Sequence, residues 1–109
     1  MLAPSASPAL AHASLVSADP APGVTVPATF AEISLTFDEA LIPGSTFTLF
    51  TNSFQKLEGI SPRVEGVMLR AALPAPLAPS TYTVQWKAVT GDGHSVEGSY
   101  QFGVSEAAR

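Results

Sequence analysis

The run Tyr82, Val84, Trp86 and Ala88, alternating with Thr83, Gln85 and Lys87, constrains the fold more than any other stretch of the chain. Successive residues of a strand face opposite sides, so this period of two describes a strand with one large apolar face and one polar face. Tyr100, Phe102 and Val104 alternate in the same way with Ser99, Gln101 and Gly103. Thr90 to Gly98 lies between the two runs and carries three glycines, so the pair is expected to form an antiparallel hairpin. A hairpin with one apolar face is stable only when a second layer covers that face.

The rest of the chain supplies that layer. Ser14 to Ser17 is a short apolar run ended by Asp19-Pro20-Ala21-Pro22-Gly23, where proline fixes φ and glycine frees it, a turn composition. Ile33, Leu35 and Phe37 alternate with Ser34 and Thr36, and after Pro43-Gly44 the residues Phe47 and Leu49 alternate with threonines. Asn52 to Pro62 has no clear period; strand signal returns weakly at Val64 and more firmly through Val67, Leu69 and Ala71. Pro74, Pro76 and Pro79 mark a loop, because none can donate to a ladder. The pattern predicts an all-β domain of about seven strands, an immunoglobulin-like Greek-key sandwich or small barrel without helices. A length of 109 residues fits one such domain, and a hydrophobic fraction of 46% favours a folded chain over a disordered one.

Within that frame, Thr90-Gly91-Asp92-Gly93-His94 is the segment with chemistry in it. A carboxylate and an imidazole stand two residues apart, a spacing that in extended backbone turns both toward one ion. Two ligands are too few for a tight site. The other histidine is His12, preceded by Ala9-Leu10-Ala11, which has the small residues of a signal-peptidase box. Cleavage after Ala11 would make His12 the first residue and add its amine and ring nitrogen to the set. Three nitrogens and one carboxylate oxygen suit Cu(II) in a tetragonal plane, ahead of Ni(II) and Zn(II).

Composition removes several competing chemistries. The chain has no cysteine, which excludes disulfides, thiolate zinc sites and iron–sulfur clusters. Its five basic residues are scattered over a net charge of -4, so no nucleic-acid-binding patch is present. No apolar run approaches the roughly 20 residues that span a bilayer. Residues 1–11, MLAPSASPALA, lack a basic n-region and are shorter than the usual 15 to about 30 residues of a signal, so they are either the tail of one or a linker. There is no nucleophile-elbow motif and no paired carboxylate of catalytic character, and an enzyme is not expected.

Taken together, His12-Ala13-Ser14-Leu15, Pro20-Ala21-Pro22-Gly23, Phe37-Asp38-Glu39, Tyr82-x-Val84-x-Trp86, Thr90-x-Asp92-Gly93-His94, Gly98 and Phe102-x-Val104 resemble the CopC family of periplasmic copper-binding proteins across residues 12–104. The resemblance implies Cu(II) held by His12, Asp92 and His94. It also implies an acidic residue near the copper at Glu39, sometimes proposed as a ligand in the family and read here as at most a neighbour of the ligand set, and a CopD-like membrane copper transporter as the recipient. It implies a monomer in copper homeostasis or resistance, with residues 1–11 as leader or linker, 12–105 as the domain and 106–109 as a tail. Some members carry a methionine-rich Cu(I) site; here the methionines are Met1 and Met68, so no Cu(I) thioether site is expected.

Each residue also has an ordinary structural explanation. Asp92-Gly93 makes a good hairpin turn whose carboxylate bonds local backbone, Asp38-Glu39 can close a strand as a solvated turn, and Tyr82 and Trp86 are natural core anchors. On that reading the chain is an immunoglobulin-like structural or adhesion module without metal.

Overall fold

The computed structural model describes residues 13–106. They form eight strands: β1 (Leu15–Asp19), β2 (Thr25–Val26), β3 (Glu32–Phe37), β4 (Thr46–Phe50), β5 (Arg63–Glu65), β6 (Met68–Ala72), β7 (Ser80–Val89) and β8 (Ser95–Val104). Two four-stranded sheets, in the orders β1-β3-β6-β5 and β2-β8-β7-β4, face one another as a sandwich. The chain crosses between the sheets repeatedly, as a Greek-key, immunoglobulin-like arrangement requires.

The alternation read in the sequence is the alternation of burial. Ile33, Leu35 and Phe37 of β3, Phe47 and Leu49 of β4, Leu69 and Ala71 of β6, and Tyr82, Val84 and Ala88 of β7 are all buried, with Phe102 and Val104 of β8. They form one continuous core. Fully burying a side chain such as Leu35, Leu49 or Leu69 contributes roughly 1.5 to 3 kcal/mol, so these inward positions hold the sheets together. Aromatic edges cross the interface as well. The rings of Phe37 on β3 and Trp86 on β7 meet edge to face with centroids 5.1 Å apart, a geometry that suits the ring quadrupoles.

Three boundaries differ from the sequence expectation. The strand pair β5 and β6 is a hairpin that turns at Gly66, whose φ of +64° lies in the left-handed region. Val67 therefore lies in the turn instead of a strand. The eighth strand is β2, which pairs in parallel with the end of β8. The largest change is in β8, which begins at Ser95, so the loop expected over Thr90 to Gly98 shrinks to Thr90 to His94. The strands β7 and β8 pair without a slip from Ser80↔Val104 to Val89↔Ser95. Gly98 is part of that ladder opposite Trp86, and a Cβ on it would lie 2.4 Å from Trp86 Cζ2. Glycine there is the space into which the indole packs, so it marks close packing and not a loop.

Candidate metal centre

The turn that joins β7 to β8 is built by its own backbone and by two short side chains. Gly93 N–H donates to Thr90 O at 2.9 Å and Thr90 N–H donates to His94 O at 3.0 Å, closing the chain on itself. Gly93 has φ +90°, which a residue with a Cβ adopts only under strain. Thr90 is buried, at 3% exposure. Its hydroxyl donates to Asp92 Oδ1 at 2.6 Å, and His94 N–H donates to the same oxygen at 3.1 Å. The Thr90 hydroxyl also lies 3.5 Å from His94 O, but it has one proton, and the shorter, charge-assisted contact takes it.

Asp92 and His94 are brought together in this turn. His94 Nδ1 lies 2.9 Å from Asp92 Oδ2, and both side chains are about half exposed. The expectation of adjacency is met, but its expected cause is not: the two residues are not on an extended strand, and the turn does what strand alternation was expected to do. The Thr90 hydroxyl, followed by the His94 backbone N–H and side chain, holds the Asp92 carboxyl well below the usual carboxylate range. Asp92 is thus a ready anion at any ordinary pH. An ion that takes Oδ2 as a ligand displaces the His94 Nδ1 contact.

The same end of the sandwich holds the start of β1. Ile42 N–H donates to Val89 O at 3.0 Å, Leu41 bridges to Thr90, and Leu41 N–H donates to Gly66 O at 2.9 Å. The buried Ser45 hydroxyl accepts the Val89 N–H at 2.9 Å. Residues 38–45 therefore tie the β7–β8 turn to the end of β3. There Asp38 N–H donates to Ser14 O at 3.1 Å and Ser14 N–H donates to Asp38 Oδ1 at 2.8 Å. Ala13, one residue after His12, is 2% exposed and belongs to the core.

His12 and the leader reading of residues 1–11 lie outside the described residues. Among the described residues, no group of three or more histidine, cysteine, aspartate or glutamate side chains is arranged to hold a metal ion. The donor pair Asp92 and His94 fits a tetragonal ion as two of its four ligands and needs the remainder from elsewhere. Glu39 is half-buried in the segment after β3, at this same end. Sequence reasoning named Thr90 within the motif and Asp38 in a solvated turn, but not the bonds that either makes. The signal for Thr90 was available, since a hydroxyl two residues before an aspartate at a glycine turn commonly caps that turn. The partner of Asp38 is set by tertiary pairing and leaves no local trace.

Comparison with known proteins bears on the family and the fold. Residues 15–105 match the family model of the CopC domain. Copper resistance protein C of Xanthomonas campestris pv. juglandis is 33% identical over 107 residues, covering 88% of this chain and 82% of that protein. Protein YobA of Escherichia coli K12 is 34% identical over 98 residues, covering 86% and 79% of the two chains. Among solved structures, CopC from Methylosinus trichosporium OB3b is similar with a TM-score of 0.79 at 27% identity, covering 90% of this chain and 98% of its own. PcoC, a methionine-rich copper resistance protein of Escherichia coli, is similar with a TM-score of 0.73 at 29% identity, covering 87% of this chain and 100% of its own. A family model spanning nearly all the described residues, together with relatives of this identity and coverage, makes the chain a member of the CopC family.

Proposed function

We propose that this protein is an exported Cu(II)-binding protein of the periplasm that sequesters copper and passes it, as a monomer, to a CopD-like membrane transporter. The ligands are the amine and ring nitrogen of His12 once residues 1–11 are removed, the Asp92 carboxylate and a ring nitrogen of His94, with Glu39 nearby but outside the set. Residues 12–105 are the working domain and 106–109 a tail. The protein binds and delivers; it does not catalyse.

One observation carries this reading. The turn bearing Asp92 and His94 stands at the same end of the sandwich as Ala13 and Ser14, which are anchored by burial and by the paired bonds to Asp38. Ala13 is therefore a fixed point at that end of the sandwich. Membership of a family whose relatives are named copper resistance proteins supports copper as the cargo. The donor set supports Cu(II) over Cu(I), since thioether sulfur is confined to Met1 and Met68.

A metal-free structural module is the second reading, favoured by the local bonds of the turn: the Thr90 hydroxyl, the His94 N–H and the His94 ring already engage the Asp92 carboxylate, as in an ordinary hairpin turn. Copper titration separates the two. Protein recovered after export, with its first residue identified by intact mass, is compared with full chain retaining Met1 and with His94→Ala. Tight one-to-one Cu(II) uptake by the exported form, weakened in both others, is expected. Equal and weak uptake by all three leaves the structural module standing.

A further inference from the structure

We infer that Thr90 is a positioning residue for the metal centre: its hydroxyl locks Asp92 so that one carboxylate oxygen, Oδ2, is presented to the ion. The inference rests on the copper reading above and concerns a residue that makes no contact with the ion itself.

The geometry is specific. A carboxylate on a free side chain rotates and offers either oxygen or both. In this turn Oδ1 is claimed twice, by the Thr90 hydroxyl at 2.6 Å and by His94 N–H at 3.1 Å. Those donors fix the plane of the carboxylate and leave Oδ2 on the side of the His94 ring, 2.9 Å from Nδ1. Thr90 can do this because it is anchored on several sides. It is 3% exposed, bridges to Leu41, and its backbone N–H and O are both bonded within the turn. An exposed aspartate is thereby held by a buried hydroxyl, and the ligand end stays in solvent while its orientation is set from the core.

A single carboxylate oxygen suits a four-coordinate Cu(II) plane. A carboxylate free to bind through both oxygens suits larger, harder ions such as Ca²⁺. Outer-shell partners of this kind typically change metal affinity by about 10- to 100-fold when removed.

The test uses exported protein carrying Thr90→Val, which keeps the shape and loses the hydroxyl, and Thr90→Ser, which keeps the hydroxyl. Cu(II) affinity is measured by chelator competition, and the Cu(II) centre by electron paramagnetic resonance beside Asp92→Asn. The valine variant is expected to bind about 10- to 100-fold more weakly, with its spectrum shifted toward that of Asp92→Asn, and the serine variant to recover both. Should the valine variant fail to fold, Thr90→Ala carries the same comparison. Wild-type affinity and spectrum in a hydroxyl-free variant overturn the inference, as does serine behaving like valine. A wild-type protein that takes up no Cu(II) overturns the copper reading instead, so the two failures are distinct.

Discussion

Ser14 and Asp38 hold each other by two bonds: the Ser14 N–H donates to the Asp38 carboxylate at 2.8 Å, and the Asp38 N–H donates to the Ser14 carbonyl at 3.1 Å. The second is ordinary backbone pairing; the first depends on the side chain. Asp38→Ala is therefore expected to unfasten the start of β1 while leaving the core intact. A single exposed bond contributes on the order of 1 kcal/mol or less. Urea unfolding should move little, while Cu(II) affinity of the exported form falls by a larger factor than overall stability does. Unchanged copper affinity in this variant would separate the N-terminal anchor from the site.

Gly98→Ala tests the packing of Trp86. A Cβ at this position meets Cζ2 at 2.4 Å and Cε2 at 2.7 Å, so the indole has to leave its place against Phe37 or the β7–β8 ladder has to bend. Overpacking of this kind costs roughly 1 to 3 kcal/mol. Denaturant midpoints and tryptophan emission should both shift, and a variant as stable as the parent with the same emission would contradict the packing described.

Tyr100 gives the clearest pH prediction. Its hydroxyl donates to Pro20 O at 2.9 Å, and burial, reinforced by the nearby Asp19 carboxylate, raises its pKa above the ordinary tyrosine value of 10.0. The folded state then resists losing a proton that the unfolded chain releases near pH 10. The stabilisation is complete below about pH 10 and is lost as pH rises through the raised folded value. The ultraviolet titration of tyrosinate should show Tyr100 ionising late or only with unfolding. Tyr100→Phe should lose about 1 kcal/mol at neutral pH through the missing bond. It should also lose part of the alkaline sensitivity, the remainder belonging to Tyr82, whose pKa burial also raises. An alkaline midpoint identical to wild type would count against this account.

Copper affinity itself should fall with acidity. The proposed ligands bind deprotonated, with reference pKa values of about 6.5 for histidine and 7.7 to 8.0 for an α-amine. Competition titrations from pH 8 down to about pH 5 should show a steepening loss as the three nitrogen donors take up protons. The loss should be shallower in the form retaining Met1, where the His12 nitrogen is an amide. Parallel curves for the two forms would argue against the amine as a ligand.

The sandwich was legible wherever a strand was long enough to show its period. Tyr82 to Ala88 announced β7 and the core face with it, because burial on one side is what creates the alternation. Thr25–Val26 and Arg63–Glu65 are too short to display any period, and their pairing is decided by the strands beside them. The first half of β8 was hidden by Gly98, a residue that reads as a loop locally and is required by a ring on the neighbouring strand. At the candidate site, the spacing of Asp92 and His94 pointed to their adjacency even though the backbone between them is a turn. The Thr90 hydroxyl acts through a local bond to Asp92 that the turn composition could have signalled, whereas the Asp38 carboxylate bonds Ser14 from a distant part of the chain and leaves no linear pattern.

β1 belongs to one sheet and the β7–β8 turn to the other. With the proposed ligands, a single ion fastens the covers of the sandwich at one end, joining the beginning of the domain to its last hairpin as a cross-link would. On that proposal the fastener would open without unfolding the sandwich, since release of the first ligand would leave the ion on Asp92 and His94 alone. A recipient that grips the terminus could then draw the cargo off stepwise, ligand by ligand, while the eight strands stay in place.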